Sequence, residues 1–389
     1  MEQEKKRIVL QALLFVITFI TTTIAGAEWN YSHSIYSFDN EGINFNSEYT
    51  LAHFLTGLPF SISFLFILSV HEFGHYFTAR YHQIKTSLPY YIPLPPFPTL
   101  IGTMGALIRI RQRIPTTTKN FDIGVAGPVA GFVAAIIVLI IGLVTLPPPE
   151  FIFTIHPEYK EFGLDYAQYV YQPAYLGQHG VMDIMLADNL IINFLASMFA
   201  DSSRMPNYHE LMHYPLLFAG WLSLFFTALN LLPIGQLDGG HVVYGLFGKK
   251  IHRIIASVFF TAMVLYSGIG IITPAIELSS LLIRLPLHIF FLYLIFSALG
   301  FEKKTTIIIS LSVFIIQYLI TLFMPTVAHP SYSFLLLAFL MSRFVGVRHP
   351  GADVEEPLTL GRKILGWFAL AILVLCFTPS PINIFIYPQ

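Results

Sequence analysis

Apolar runs long enough to cross a bilayer recur along the whole chain, and no other feature limits its folding so tightly. About 20 consecutive apolar residues span the hydrocarbon core of a membrane. By that measure spans are expected near 8–27, 56–79, 123–146, 214–233, 254–274, 285–300, 305–324, 331–345 and 363–378. In hydrocarbon every backbone N–H and C=O must be satisfied within the protein, so such runs cross as helices. Composition agrees. Of 389 residues, 55% are hydrophobic and only 11% charged, against roughly 25% charged in an average soluble domain. The expected fold class is an all-α polytopic membrane protein.

Charge placement orients the spans. With the N-terminus in the cytoplasm and one crossing per span, eighteen of the twenty-one Lys and Arg residues fall on the cytoplasmic side. Lys160, Arg204 and Arg284 fall on the other. This asymmetry satisfies the positive-inside rule. The opening MEQEKKRIVL leads into an apolar run with no small-residue cleavage site after it. It reads as a retained first span. With no transit-peptide composition, the expected location is the plasma membrane of a prokaryote. A net charge of −1 gives no footprint for nucleic acid. The single cysteine, Cys376, excludes a disulfide framework and a cysteine-based metal site.

Three regions are expected: residues 1–50, an N-terminal span and extracytoplasmic loop; 51–250, a core with an extracytoplasmic loop at 147–212; and 251–389, further spans. The 147–212 loop is acidic and long enough for a small helical cap. The stretch 86–122 breaks the helical pattern. Pro89, Pro93, Pro95, Pro96 and Pro98 each remove a backbone donor. In the Leu107–Arg111 stretch that follows, apolar and charged residues partly alternate, as in a half-buried strand. A re-entrant loop or β-hairpin against the cytoplasmic half of the bundle is expected, with 105–111 as a strand edge.

The second span contains His71-Glu72-Phe73-Gly74-His75, an HExxH pattern. On a helix His71 and His75 stand one turn apart on one face, where both imidazoles can grip one metal ion. Glu72, beside that face, is placed to take a proton from water activated by the metal. Gly74 leaves room for another helix. Charged residues inside a membrane are rare and usually functional. The structural alternative is a buried histidine pair hydrogen-bonded within the bundle. Hydrolytic zinc takes three protein ligands and keeps one position open. Asp238, in Asn230-Leu231-Leu232-Pro233-Ile234-Gly235-Gln236-Leu237-Asp238-Gly239-Gly240, is the candidate third ligand. Pro233 and Gly235 interrupt the helix before it. Its structural alternative is a cap on the helix that follows. His241 is a lesser candidate for orienting a ligand.

HEFGH in one span and NLLPIGQLDGG in a later one resemble the two signature motifs of the site-2 protease family of intramembrane metalloproteases. Gly124-Val125-Ala126-Gly127-Pro128-Val129-Ala130-Gly131 resembles that family's small-residue motif in the span between them. The resemblance covers roughly residues 51–250 and implies a three-span core. It implies Zn2+ held by His71, His75 and Asp238, with Glu72 as the catalytic acid/base and Asn230 near the substrate backbone. Gly235-Gln236 stands where many members have a second proline; Pro233 and Gly235 still break the helix. Expected partners are the lipid bilayer and single-span membrane proteins or signal peptides, cut in regulated proteolysis or signal-peptide clearance. A catalytically inactive zinc scaffold, a secondary transporter and a prenyl-protein protease are the competing readings. Glu72 argues against the first, the lack of internal repeats against the second, and the LDGG aspartate against the third. Substrate identity and oligomeric state have no signal in the sequence.

Overall fold

The structure, a computed structural model, describes residues 2–39, 42–97, 100–179, 182–327 and 330–386. Pro98 lies outside them. In chain order the described elements are α1 (Glu2–Tyr31), β1 (Tyr36–Asp39), β2 (Gly42–Phe45), α2 (Leu51–Thr56), α3 (Leu58–Tyr81), β3 (Tyr90–Pro93), β4 (Thr103–Leu107), α4 (Thr117–Val144) and α5 (Pro173–His179). They continue with β5 (Met182–Leu186), α6 (Leu190–Phe199), α7 (Pro215–Asn230), α8 (Asp238–Ser267), α9 (Leu278–Phe296), α10 (Lys303–Phe323), α11 (Tyr332–Leu340), α12 (Leu360–Cys376) and β6 (Ile382–Ile386). Among the described residues helices dominate, and the sheets are three separate two-stranded pairs. Among the described residues α1, α4, α8, α9 with the turn after it, and α10 are long and apolar enough to cross a membrane. The protein is an all-α polytopic membrane protein with small sheets.

Contacts divide the chain into two compact units. The first takes Met1–Arg113, Ala126–Leu229 and Leu370–Gln389; the second takes Ile114–Val125 and Asn230–Ala369.

In the first unit α1 and α3 approach closely because small residues line their seam. A Cβ added to Gly57 would stand 1.9 Å from the Thr23 carbonyl oxygen. Beside it the Thr23 and Ser61 hydroxyls meet at 2.8 Å. The proline-rich stretch folds into the antiparallel pair β3–β4, with Tyr90 opposite Leu107 and Pro93 opposite Thr103. The strand thus sits a little earlier than the alternation suggests, and Ile110 keeps only an isolated bridge to Thr86.

Side chains of α1 satisfy this non-helical backbone, as hydrocarbon demands. Gln11 Nε2 donates to the Leu88 carbonyl at 2.7 Å, Thr21 Oγ1 to Gly102 at 2.6 Å, and Trp29 Nε1 to Leu100 at 3.2 Å. Gln11 and Trp29 lie on one face of α1, about five turns or roughly 27 Å apart. The hairpin therefore follows α1 along most of its length and is not confined to one half of it. Its carbonyls go where α1 offers donors, and those donors extend to the helix's far end.

The 147–212 segment, expected to form a cap, folds among its described residues into short helical stretches and one strand. Two 3-10 stretches, Pro149–Thr154 and Pro157–Gln168, precede α5, β5 and α6. Ile152, Tyr166 and Val170 form its core, with Tyr159 and Phe162 packed against them. β5 pairs antiparallel with β6 from the C-terminal end of the chain, Leu186 opposite Ile382. Burial in this cap, with His156 adding to it, lowers the His213 imidazole to about 4, and burial raises the Glu210 carboxyl.

In the second unit α8 packs against α10 and α11. Several polar groups there are paired. His288 Nε2 meets Gln317 Oε1 at 2.9 Å, and Gln317 Nε2 donates to the Val264 carbonyl at 2.9 Å. Arg362 grips Asp122 with two hydrogen bonds, of 2.7 and 2.9 Å. Two expected spans have different limits. α7 is only 16 residues long. α8 begins at Asp238 and kinks at Gly248, where φ is 75°.

Candidate active site

α3 is a nearly uniform apolar helix into which one polar face has been cut. Pro59 sits in its first turn, where a missing N–H costs nothing. Helical spacing then brings His71 and His75 onto one side, with Nε2 atoms 3.1 Å apart. Glu72 Oε1 stands 4.0 Å from His71 Nε2. All three side chains are buried, at 6–7% exposure. Ionisable groups at that depth belong to a polar site, since hydrocarbon alone would expel them.

The α4 glycines shape the space around the two rings. A Cβ on Gly127 would fall 2.1 Å from His75 Nε2, and one on Gly131 would fall 3.0 Å from His71 Cβ. Gly74 serves the reverse contact: a Cβ there would stand 2.8 Å from the Ala126 carbonyl oxygen. The small-xxx-small spacing on α4 is therefore a cradle for the histidines as well as a packing device. This cradle and the donor set fit a zinc ion. Zn–N bonds of about 2.0–2.1 Å at a tetrahedral angle put neighbouring nitrogens roughly 3.3–3.4 Å apart, close to the spacing seen.

The hairpin reaches the same helix. Tyr91 of β3 and Ser69 of α3 meet at 2.6 Å through their hydroxyls. Ser69 also donates to the Leu65 carbonyl at 2.6 Å, so Tyr91 is the donor to Ser69. This bond ties the extended segment to α3 two residues before His71. Sequence reasoning missed both residues, because a tyrosine beside prolines carries no sign of its partner.

In the second unit Asn230 ends α7 and Asp238 opens α8, on either side of an irregular break. Glycine makes this break possible. Gly235 has φ 55°, and a Cβ on it would stand 1.8 Å from the Gly346 carbonyl oxygen. Gly239 and Gly240 let the first turn of α8 press onto the returning chain; their Cβ atoms would fall 1.8 Å from Leu231 O and 2.3 Å from Gly235 O. Asp238 is half-buried and helical, and Leu237 holds the cap position. The capping alternative for Asp238 is thus corrected. His241 meets His349 at 2.8 Å, and His349 in turn meets Asn120 at 3.2 Å. His349 had no signal in the sequence. So His71, Glu72 and His75 converge within the first unit, while Asn230, Asp238 and His241 stand in the second.

A family model described as Peptidase family M50 matches residues 59–275, from the start of α3 past the end of α8. The chain belongs to Peptidase family M50. As an M50 chain it is a multi-pass membrane protein of the site-2 protease family. It is similar to "Probable zinc metalloprotease EGY1, chloroplastic" of Arabidopsis thaliana, 32% identical over 193 residues, covering 50% of this chain and 30% of that protein. The rice protein of that name (Oryza sativa subsp. japonica) is 29% identical over 216 residues, covering 56% of this chain and 31% of its own length. "Probable zinc metalloprotease EGY2, chloroplastic" of Arabidopsis thaliana is 28% identical over 194 residues, covering 50% and 29%. This M50 chain thus spans about 30% of the length of these relatives. No solved structure matches it.

Proposed function

We propose that this chain is a zinc endopeptidase that hydrolyses peptide bonds of membrane-anchored substrates within or beside the bilayer. The observation that carries the reading is the convergence of the His71 and His75 Nε2 atoms beside Glu72 on the buried face of one helix. Membership of a peptidase family supports it, as do relatives named as zinc metalloproteases. His71 and His75 hold the metal, and Asp238 supplies the third protein ligand that a hydrolytic zinc site uses. Zinc bound there supplies Lewis acidity, which acidifies water and polarises a carbonyl.

The chain's own groups do the rest. Glu72 accepts the proton of the attacking water and returns it to the leaving nitrogen. Burial of Glu72 keeps bulk water from competing for that proton. Asn230 holds the substrate backbone through its side-chain amide. A helical substrate hides its carbonyls in hydrogen bonds and must be extended before attack. The free edge beyond β4 receives it by strand addition. Arg109 turns inward, its N–H bonded to Ser87 Oγ at 2.9 Å and its carbonyl accepting the Ser87 N–H at 3.0 Å. On an extended strand the neighbouring Ile108 then presents its N–H and C=O to the opposite edge.

The substrates proposed are single-span membrane proteins or residual signal peptides, cut in regulated intramembrane proteolysis or signal-peptide clearance. The proposed setting is the plasma membrane of a prokaryote, with the N-terminus in the cytoplasm. The deciding experiment compares wild type and Glu72→Gln in detergent on a panel of single-span peptides, with zinc measured in both. The variant is expected to keep its zinc and to lose at least ~10²-fold in cleavage rate. Equal cleavage by both proteins would remove Glu72 from the mechanism. Zinc in both with cleavage in neither would favour an inactive scaffold.

A further inference from the structure

The cap holds a second group of metal-ligating side chains, well outside the α3 helix. His156, Glu210 and His213 place one ligand atom each within reach of a common centre. We infer that these three residues form a second divalent-cation site of the zinc type, built into the extracytoplasmic cap.

The hydrogen bonds around the cluster fix where the lone pairs point. His213 Nδ1 lies 3.0 Å from the Asn30 carbonyl oxygen, which can only accept. His156 Nδ1 lies 3.1 Å from Glu158 Oε1, again an acceptor. Each Nδ1 therefore donates outward, and each ring turns its Nε2 toward the other. Those two Nε2 atoms meet at 3.2 Å. Glu210 Oε2 stands 3.3 Å from His213 Nε2 and 3.6 Å from His156 Nε2.

Glu210 is only 2% exposed, and this oxygen accepts no hydrogen bond. Its other oxygen, Oε1, takes the Tyr171 hydroxyl. Two imidazole nitrogens and an unpartnered carboxylate oxygen thus converge on one buried point, where a cation would offset the cost of burying that oxygen. The three edges of the triangle match the roughly 3.3–3.4 Å spacing that zinc bonds of about 2.0–2.1 Å impose.

Two imidazoles and a carboxylate are a zinc-type donor set that leaves one position open. Asn30 and Glu158 act as the outer partners that orient metal-bound histidines. A cavity of about 450 Å³ adjoins the cluster, lined also by Tyr159, Tyr175, Asp183 and His209. It supplies space for a fourth ligand. The cation would clamp the cap to the end of α1, through Asn30, and to the entry of α7, which begins two residues after His213. The rival occupant is a proton on His156, which would make the cluster an ordinary ion pair with Glu210.

Zinc counting on the full-length protein in detergent, after equilibration with buffered zinc, separates these cases. Wild type, His71→Asn/His75→Asn, Glu210→Gln and the combined variant are compared. The expected result is about two zinc ions per chain in wild type, about one in each partial variant and none in the combination. A His71→Asn/His75→Asn protein that is folded and binds no zinc overturns the proposal. Loss of zinc from Glu210→Gln alone, with the α3 variant unchanged from wild type, would sustain the cap site and sink the α3 one. If Glu210→Gln does not fold, zinc titration of the α3 variant decides. A rise in its melting temperature with zinc supports the site, and no rise refutes it.

Discussion

Gly127 carries more of the proposed chemistry than its lack of a side chain suggests. A methyl group there would sit 2.1 Å from the nitrogen that His75 offers to the metal, far inside van der Waals contact. Gly127→Ala must displace either the ring or α4. Its zinc affinity at the α3 site is expected to fall by about 10–100-fold or more, as when a ligand's supporting partners are removed. Gly131→Ala, whose Cβ would meet His71 Cβ at 3.0 Å, should cost less. Zinc titration of the folded variants checks both, and equal affinities in all three proteins would show that the cradle does not matter. At this scale the HExxH residues were legible because helical spacing alone brings His71 and His75 together. Tyr91, Ser69 and His349 were not, because each acquires its role from a partner distant in sequence.

At the scale of elements, the hairpin and α1 depend on each other. α1 supplies hydrogen-bond donors to the hairpin carbonyls of Leu88, Leu100 and Gly102. Gln11→Leu removes one donor and leaves the Leu88 carbonyl without it. The expected loss is about 1–3 kcal/mol of stability, read by thermal unfolding and by faster proteolysis within 84–113. The edge beyond β4 gives a second prediction. Ile108→Pro removes an outward N–H from the segment proposed to receive substrate, and it leaves the Arg109 bonds to Ser87 in place. Cleavage should fall by about tenfold, the loss of a single hydrogen bond to substrate, with zinc content unchanged. Undiminished cleavage by a folded variant would end the strand-addition idea. The sequence alternation pointed to this edge, but the paired strand is Thr103–Leu107 and ends four residues earlier than expected. Pro93 ends β3, and Gly102 (φ 75°) permits the turn into β4.

For the whole molecule, the charge asymmetry makes a prediction about topology. Cys376 is the one cysteine and it is buried, so the background for thiol labelling is low. In a Cys376→Ser protein, cysteines placed at Lys250 and at Lys303 should react only after the membrane is opened. One placed at Lys160, in the cap, should react with an impermeant reagent from outside. Labelling of Lys160 and Lys250 from the same side would refute the proposed orientation.

What the sequence determined by itself is whatever depends on local periodicity and composition. Apolar run length dictates helices in a membrane, prolines exclude a helix over 89–98, and the i, i+4 spacing sets His71 beside His75. These follow from chain geometry and solvent, with no need of a distant partner. Only the tertiary structure decided where the hairpin lies along α1, that β6 closes the cap by pairing with β5, and that His156 meets Glu210 and His213. Contacts of this kind join residues that no period connects. They are selected by packing and by the tendency of buried polar groups to find partners, which distant segments can supply only once the chain is folded.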